Sequence, residues 1–356
     1  MPSTPDQLLE QATRHAAHLE RLKSQDVRVL RDLLRLIETD LIGRVARSNP
    51  GSWSMARASK QLGAFQKLLS KRYGKEILPE LRNQIAELAE YEAGFEMRSL
   101  QKVAPSVSFD LPGKTQLLSA IRTQPFSAPG PLGGQLLEPF LRDWTRQQVR
   151  GSINVIRGGF AEGLTTPQII SRMRDISGPV SRRGLETLTR TALQHTAVQA
   201  REMTWKSNSD IVKRVRWVST LDSRTSTICR TLDTQVYKLD EGPRPPIHPN
   251  CRSTTVAVLD DRFAFLEEGG TRRARDPQTG EVGSAPAEES YYSWLKRQPA
   301  KVQNSIVGNA RGKLLRDGGL TSQRFAELQL GKHFEPLSLA DMRELEPVAF
   351  MRAGLN

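Results

Sequence analysis

The chain has 356 residues, 37% of them hydrophobic, and carries 52 Lys and Arg against 39 Asp and Glu, a formal charge of +13. No apolar run is long enough to cross a bilayer, two cysteines exclude a disulfide-dense scaffold, and no GxxxxGKS loop is present to cradle nucleotide phosphates. A pI near 10 favours polyanionic partners, since Lys and Arg release counterions where they meet phosphate, although excess base also serves to keep a helical protein soluble.

Residues 1–103 read as a helical region. Leu19, Leu22, Leu30, Leu33, Leu34, Ile37, Leu41 and Val45 recur at helical spacing until SNPGS, residues 48–52, ends the run. A second helix is expected over about 55–73. A third is expected over 77–103, with Pro79 tolerated in its first turn. The amino terminus, MPSTPDQLLEQATRHAAHLE, lacks the hydrophobic core of a signal peptide, so the chain is expected to stay in the cytoplasm until it is assembled with its partners.

Residues 104–136 are rich in Pro, Gly and Ser and read as a linker with one short helix near 115–122. A central domain, 137–260, follows. It opens on a helix over 137–160, resumes after Thr165 or Thr166 with Pro167 at the first helical position, and continues in a long helix over 183–207. The period then changes to two. KRVRWVST, 234–239 and 254–259 read as three short antiparallel strands. Residues 261–290 read as a polar excursion and 291–356 as a C-terminal helical region. The expected class is therefore mainly α with a small antiparallel β element (α+β), built around a central hairpin knot that contains Cys and His.

That knot is the densest chemistry in the chain. Cys229, His248 and Cys251 lie around a Pro-rich turn, with Asp222 as the nearest fourth group, and sulfur, imidazole and carboxylate are all zinc ligands. A zinc knuckle normally offers two close ligand pairs, whereas here Ser226 stands where a CxxC needs sulfur. Hydrogen-bonded packing, a structural Zn²⁺ and a disulfide all fit the spacing, the last disfavoured in a reducing compartment.

The run WVSTLDSRTSTICRTLDTQVY followed by GPRPPIHPNCRSTT resembles the signature of the phage Mu F-type minor head proteins, the head morphogenesis family of tailed bacteriophages. The resemblance extends upstream to IRGGFAEGLTTPQIISRM and RTALQHTAVQAREM and downstream to YYSWLKRQPAKVQNSIVGNARGKLLRDGGLTSQRF. It implies a virion protein with no enzymatic activity, a minor capsid component placed near the portal in the phage head and acting in head morphogenesis and DNA packaging or delivery. Portal and capsid proteins are the implied partners, with genomic DNA and without membrane. In such a protein Asp222, Arg224, Asn250 and Arg252 are expected to hold the knot, with Arg224 and Arg252 as internal salt-bridge donors.

Two alternatives have their own residues. An internal genome-binding protein would use the enriched arginines Arg142, Arg146, Arg150, Arg157, Arg172 and Arg174, whose planar forks suit phosphate. A metal-dependent nuclease would need a general base and a second metal cluster, and the sequence shows neither further HNH-like histidines nor a DxD or ExK grouping.

Overall fold

The computed structural model describes residues 6–127, 133–262, 271–332 and 334–355. Helix α1 (Asp6–Ser48) is one continuous rod whose Leu30, Leu34, Ile37, Leu41 and Val45 face the core at helical spacing. Asn49, at φ 53°, breaks it, and the Trp53 indole donates to the Ser48 carbonyl (2.8 Å) to close the corner. α2 (Met55–Arg72) passes through a π turn over Tyr73–Ile77 into α3 (Leu78–Val103), where Pro79 falls in the first turn as expected.

The linker carries α4 (Lys114–Thr123), and α5 (Leu137–Ala161) leads to α6 (Thr166–Arg172). Thr165 precedes α6, and its backbone N–H donates to Gln168 Oε1 (2.8 Å), one half of a capping box. A second π turn, Met173–Ser177, runs into α7 (Gly178–Ser207), so this helix begins earlier than residue 183. Leu34, Leu81, Leu117, Leu141 and Leu193, taken from both sides of the linker, lie in one continuous core. α7 passes through its centre.

β1 (Val212–Val218), β2 (Val236–Lys238) and β3 (Thr254–Leu259) form an antiparallel sheet in the order β2-β1-β3, with Val215 opposite both Tyr237 and Ala257. All of β3 is buried, and α7 holds its start: Gln194 Nε2 donates to Ser253 O (2.7 Å) and Arg201 Nη1 to Thr254 Oγ1 (2.6 Å).

The polar 261–290 segment is more ordered than its composition suggests. It carries a hairpin of β4 (Thr271–Arg275) and β5 (Val282–Pro286), turned by Asp276, whose carboxylate accepts from the N–H groups of Gln278 and Thr279, and by Gly280 at φ 75°. A parallel bridge between Leu221 and Ala274 ties this hairpin to the knot. Residues 263–270 of the segment lie outside the described residues.

Beyond it the C-terminal helical region consists of short helices. After α9 (Tyr291–Lys296), Gly308 at φ 85° separates α10 (Ala300–Val307) from α11 (Asn309–Asp317). α12 (Ser322–Glu327) follows. Pro347 then pushes Glu346 out of helical geometry and separates α13 (Leu339–Leu345) from α14 (Pro347–Arg352). Tyr291, Tyr292 and Trp294 are buried with Phe325 and Phe350 in a C-terminal core, so they are packing anchors rather than a surface for stacking bases. Among the described residues no helix is long and apolar enough to cross a membrane.

His195 on α7 is buried, and its Nε2 meets the Ile121 carbonyl at 3.1 Å. Burial lowers its pKa to about 4, opposed by that hydrogen bond. The folded value lies below the ordinary value near 6.5, so the unfolded chain takes up the proton first as pH falls. Stability is therefore expected to be full above about pH 6.5 and to drop by ~3 kcal/mol between there and about pH 4. His195→Gln, which keeps a donor for Ile121, should remove most of that slope in urea titrations run across this range.

Candidate metal centre and structural knot

β1 delivers the chain into the knot with Trp217 buried and its indole donating to Ser219 Oγ (2.9 Å). Ser219 Oγ in turn donates to the Cys229 carbonyl (2.7 Å). Ser226 then caps a short helix, α8 (Thr227–Leu232), by accepting from the Cys229 N–H (3.3 Å). This cap sets Cys229 facing the second loop. That loop is fixed by Pro243, Pro245, Pro246 and Pro249, and the Pro245–Pro246 bond is cis. Asn250, at φ 56°, completes the turn. Its N–H donates to Thr191 Oγ1 (3.1 Å) and its amide to Thr187 Oγ1 (3.2 Å), both on α7.

The two loops bring Cys229, His248 and Cys251 together, with all three potential ligand atoms within 4.8 Å of one another. Cys229 Sγ lies 3.2 Å from His248 Nε2 and 3.7 Å from Cys251 Sγ. The sulfurs are not bonded, and both cysteines are free and buried. A tetrahedral ion with Zn–S bonds of about 2.3 Å places its sulfurs about 3.8 Å apart, so the cysteine pair fits that edge without rearrangement. His248 Nδ1 contacts the Pro249 carbonyl (2.9 Å), which orients Nε2 toward the sulfurs and toward Ser226 Oγ (2.9 Å).

Charge within the trio is uneven. Burial raises the Cys251 thiol, but hydrogen bonds from Cys229 and His248 outweigh it and hold Cys251 well below the usual thiol range. Cys229, donating to Cys251 and itself buried, is pushed well above that range. Burial lowers His248, yet its contact with Cys251 leaves it raised. Cys229 and His248 thus hold their protons more tightly than usual in the metal-free trio, and a divalent cation would have to displace both, since it takes thiolate and neutral imidazole.

Asp222 does not join this group. Its carboxylate takes a bidentate pair from Arg252, at 2.7 and 2.8 Å, and accepts from the Arg224 N–H (3.0 Å) and Thr225 Oγ1 (3.1 Å). Burial raises this carboxyl, but Arg252 and the other donors prevail and hold it below its ordinary value. Arg224 binds Asp222 closely only through its backbone; its side chain is 69% exposed and reaches the carboxylate at 4.0 Å. Of the α7 residues facing the knot, Thr191 and Gln194 contact it, while His195 packs on Phe126 instead.

Sequence reasoning missed the pair that joins the knot to everything C-terminal of it. Asp233 and Arg272 are both buried, and Arg272 Nη1 and Nη2 donate to the two carboxylate oxygens at 3.0 and 2.9 Å. The Asp233 carboxylate also accepts the N–H of Ser219 and of Tyr291, each at 2.7 Å. The only sequence signal is the alternation of TRRAR, which sends Arg272 to the face opposite Arg273.

The arginines expected to meet nucleic acid divide by environment. Arg142, Arg146, Arg150 and Arg157 lie along one exposed face of α5, with Arg146 paired to Asp143 (2.8 Å) and Arg157 bonded to Asn154 (3.2 Å). Arg172 is engaged bidentately by Glu162, at 2.7 Å for each contact, and Arg174 is exposed on the π turn before α7.

Residues 153–256 match the family model described as phage Mu protein F like protein. Over that segment the chain is similar to phage Mu protein F. The match runs from the second half of α5 to β3 and includes Cys229, His248, Cys251, Asp222 and Asp233. It supports the phage head morphogenesis family, and with it a bacteriophage virion protein of head assembly. No curated protein and no solved structure matches the chain.

Removing one member of a buried ion pair leaves the other charge unpaired, at ~3–5 kcal/mol. Arg272→Met is therefore expected to lower stability by about that amount. The double variant Arg272→Met/Asp233→Leu should lose less, as read from urea midpoints of the three proteins. A double variant as unstable as the single one would show that packing rather than charge makes the difference.

Proposed function

We propose that this protein is a minor head protein of a tailed bacteriophage that docks near the portal and acts in head morphogenesis and DNA packaging or delivery. The family match over residues 153–256 carries the proposal. The way the matched segment uses its polar groups supports a structural role: Asp222 is engaged by Arg252 and Asp233 by Arg272, so both carboxylates are tied up in bidentate arginine pairs instead of being left open to act as a general base. Co-expression with the portal protein of the same phage should yield a complex of fixed stoichiometry on gel filtration. Elution as a separate species, together with salt-sensitive retention on duplex DNA, favours an internal genome-binding protein instead. That second reading draws on the exposed arginine face of α5.

Within this role Cys229, His248 and Cys251 hold a structural Zn²⁺ that clamps the two loops of the knot. Held there, the ion would cross-link α8 to the Pro-rich loop 19 to 22 residues further on, and its binding free energy would add to folding. Elemental analysis of the purified protein should find about one zinc per chain, lost in Cys251→Ser with a lower melting temperature. A zinc-free protein with an unchanged melting temperature leaves hydrogen bonding as the clamp. Nuclease activity that disappears in Cys251→Ser at unchanged melting temperature would instead support the metal-dependent nuclease.

A further inference from the structure

We propose that the cleft between α1 and the β4–β5 hairpin is a binding site for a phosphate-bearing ligand. Two adjoining cavities, of about 260 and 380 Å³, share Thr13, Arg273 and Val282 in their walls. The first is floored by Ala16, Ala17 and Val218, and Arg224, Arg252, Arg273 and Arg275 also line it.

The charges in this cleft are unequally satisfied. Each acid lining it is already engaged: Glu20 by Lys23 (2.7 Å) and Arg190 (3.0 Å), Asp222 by Arg252, and Glu10 by Arg14. The bases are not. The Arg273 side chain has no hydrogen-bond or ion-pair partner among the described residues, the Arg275 guanidinium bonds only the Gly280 carbonyl (2.9 Å), and the Arg224 side chain is held loosely at 4.0 Å from Asp222. Three guanidinium groups therefore border an apolar floor with their charge uncompensated.

The hairpin places them there by strand geometry. Arg272 turns inward to Asp233, so Arg273 and Arg275, one and three residues further along β4, share the opposite face, the one that lines the cleft. The bridge between Leu221 and Ala274 and the bond from Arg275 N–H to Leu221 O (2.9 Å) lock that face beside Arg224. Planar guanidinium forks match the oxygens of a phosphate bidentately, and an apolar floor accepts the base or sugar next to it. A carboxylate-rich peptide would find the forks but no use for the floor.

This site is distinct from the arginine face of α5 and does not rest on the portal proposal. The test is fluorescence anisotropy of the full chain with a fluorescein-labelled oligothymidylate of twelve nucleotides, competed with inorganic phosphate, thymidine monophosphate and a glutamate-rich peptide. Arg224→Ala/Arg273→Ala should weaken oligonucleotide binding by at least about tenfold and reduce the salt slope by about 1.4, the value for two lost contacts to a single strand. Both losses should persist in an Arg142→Ala/Arg150→Ala background, with an unchanged melting temperature. Saturable binding of the mononucleotide but not the oligonucleotide, lost in the same variant, supports the site and identifies a free phosphate ligand as its source. Wild-type affinity in the cleft variant, absence of saturable binding of any phosphate probe, or tighter binding of the glutamate-rich peptide than of the oligonucleotide would overturn the proposal.

Discussion

The Asp233 carboxylate is buried between three segments and accepts hydrogen bonds from each: the Ser219 N–H after β1, the Tyr291 N–H at the start of α9, and both terminal nitrogens of Arg272 on β4. Arg272 spends its remaining terminal donors on the Ser219 and Glu289 carbonyls. An ion pair removed from water is costly unless its hydrogen-bonding capacity is filled, and here backbone groups fill most of it, leaving only the buried Arg272 Nε–H without a partner among the described residues. The sheet, the hairpin and the C-terminal helices are consequently positioned by one carboxylate. Tyr291 strengthens the connection from its other end, its hydroxyl donating to the Asp222 carbonyl (2.7 Å).

The same logic operates on the other side of the knot. α7 lies in the middle of the helical core, and its polar residues Thr187, Thr191, Gln194 and Arg201 reach Asn250, Ser253 and Thr254. Lys23 of α1, buried and with its pKa lowered by that burial, meets Gln194 from behind. The Cys–His–Cys trio thus sits between a helical body and a C-terminal body, and the hydrogen-bonded groups around it hold both in register. An arrangement of this kind suits a protein whose task is to keep a fixed shape within a larger assembly.

Much of this was legible in the sequence, for identifiable reasons. The long apolar stripes, the change to a period of two at KRVRWVST, and the turn chemistry of PRPPIHPN are local signals, and the helices, the three-stranded sheet and the Cys–His–Cys group follow from them. Asp222 separated from the trio because its pairing with Arg252 is decided in three dimensions: either residue alone looks like a candidate ligand or a surface charge. Arg272 was hidden in a polar stretch, 39 residues from Asp233, where composition points to solvent. The six residues of α8 are too few for periodicity and are announced only by the Ser226 cap. The interruption at Gly308 reflects a positive φ that an apolar stripe does not record.

Native-state hydrogen exchange at the Ser219 and Tyr291 amides tests most directly whether Asp233 is the joint of the structure. Both N–H groups donate to its carboxylate, so both are predicted to exchange only through the largest unfolding event, at the same free energy as the α7 core amides. Exchange of Tyr291 through a separate, low-energy opening while α7 stays protected would contradict the account, because it would mean that the C-terminal body detaches without breaking the core.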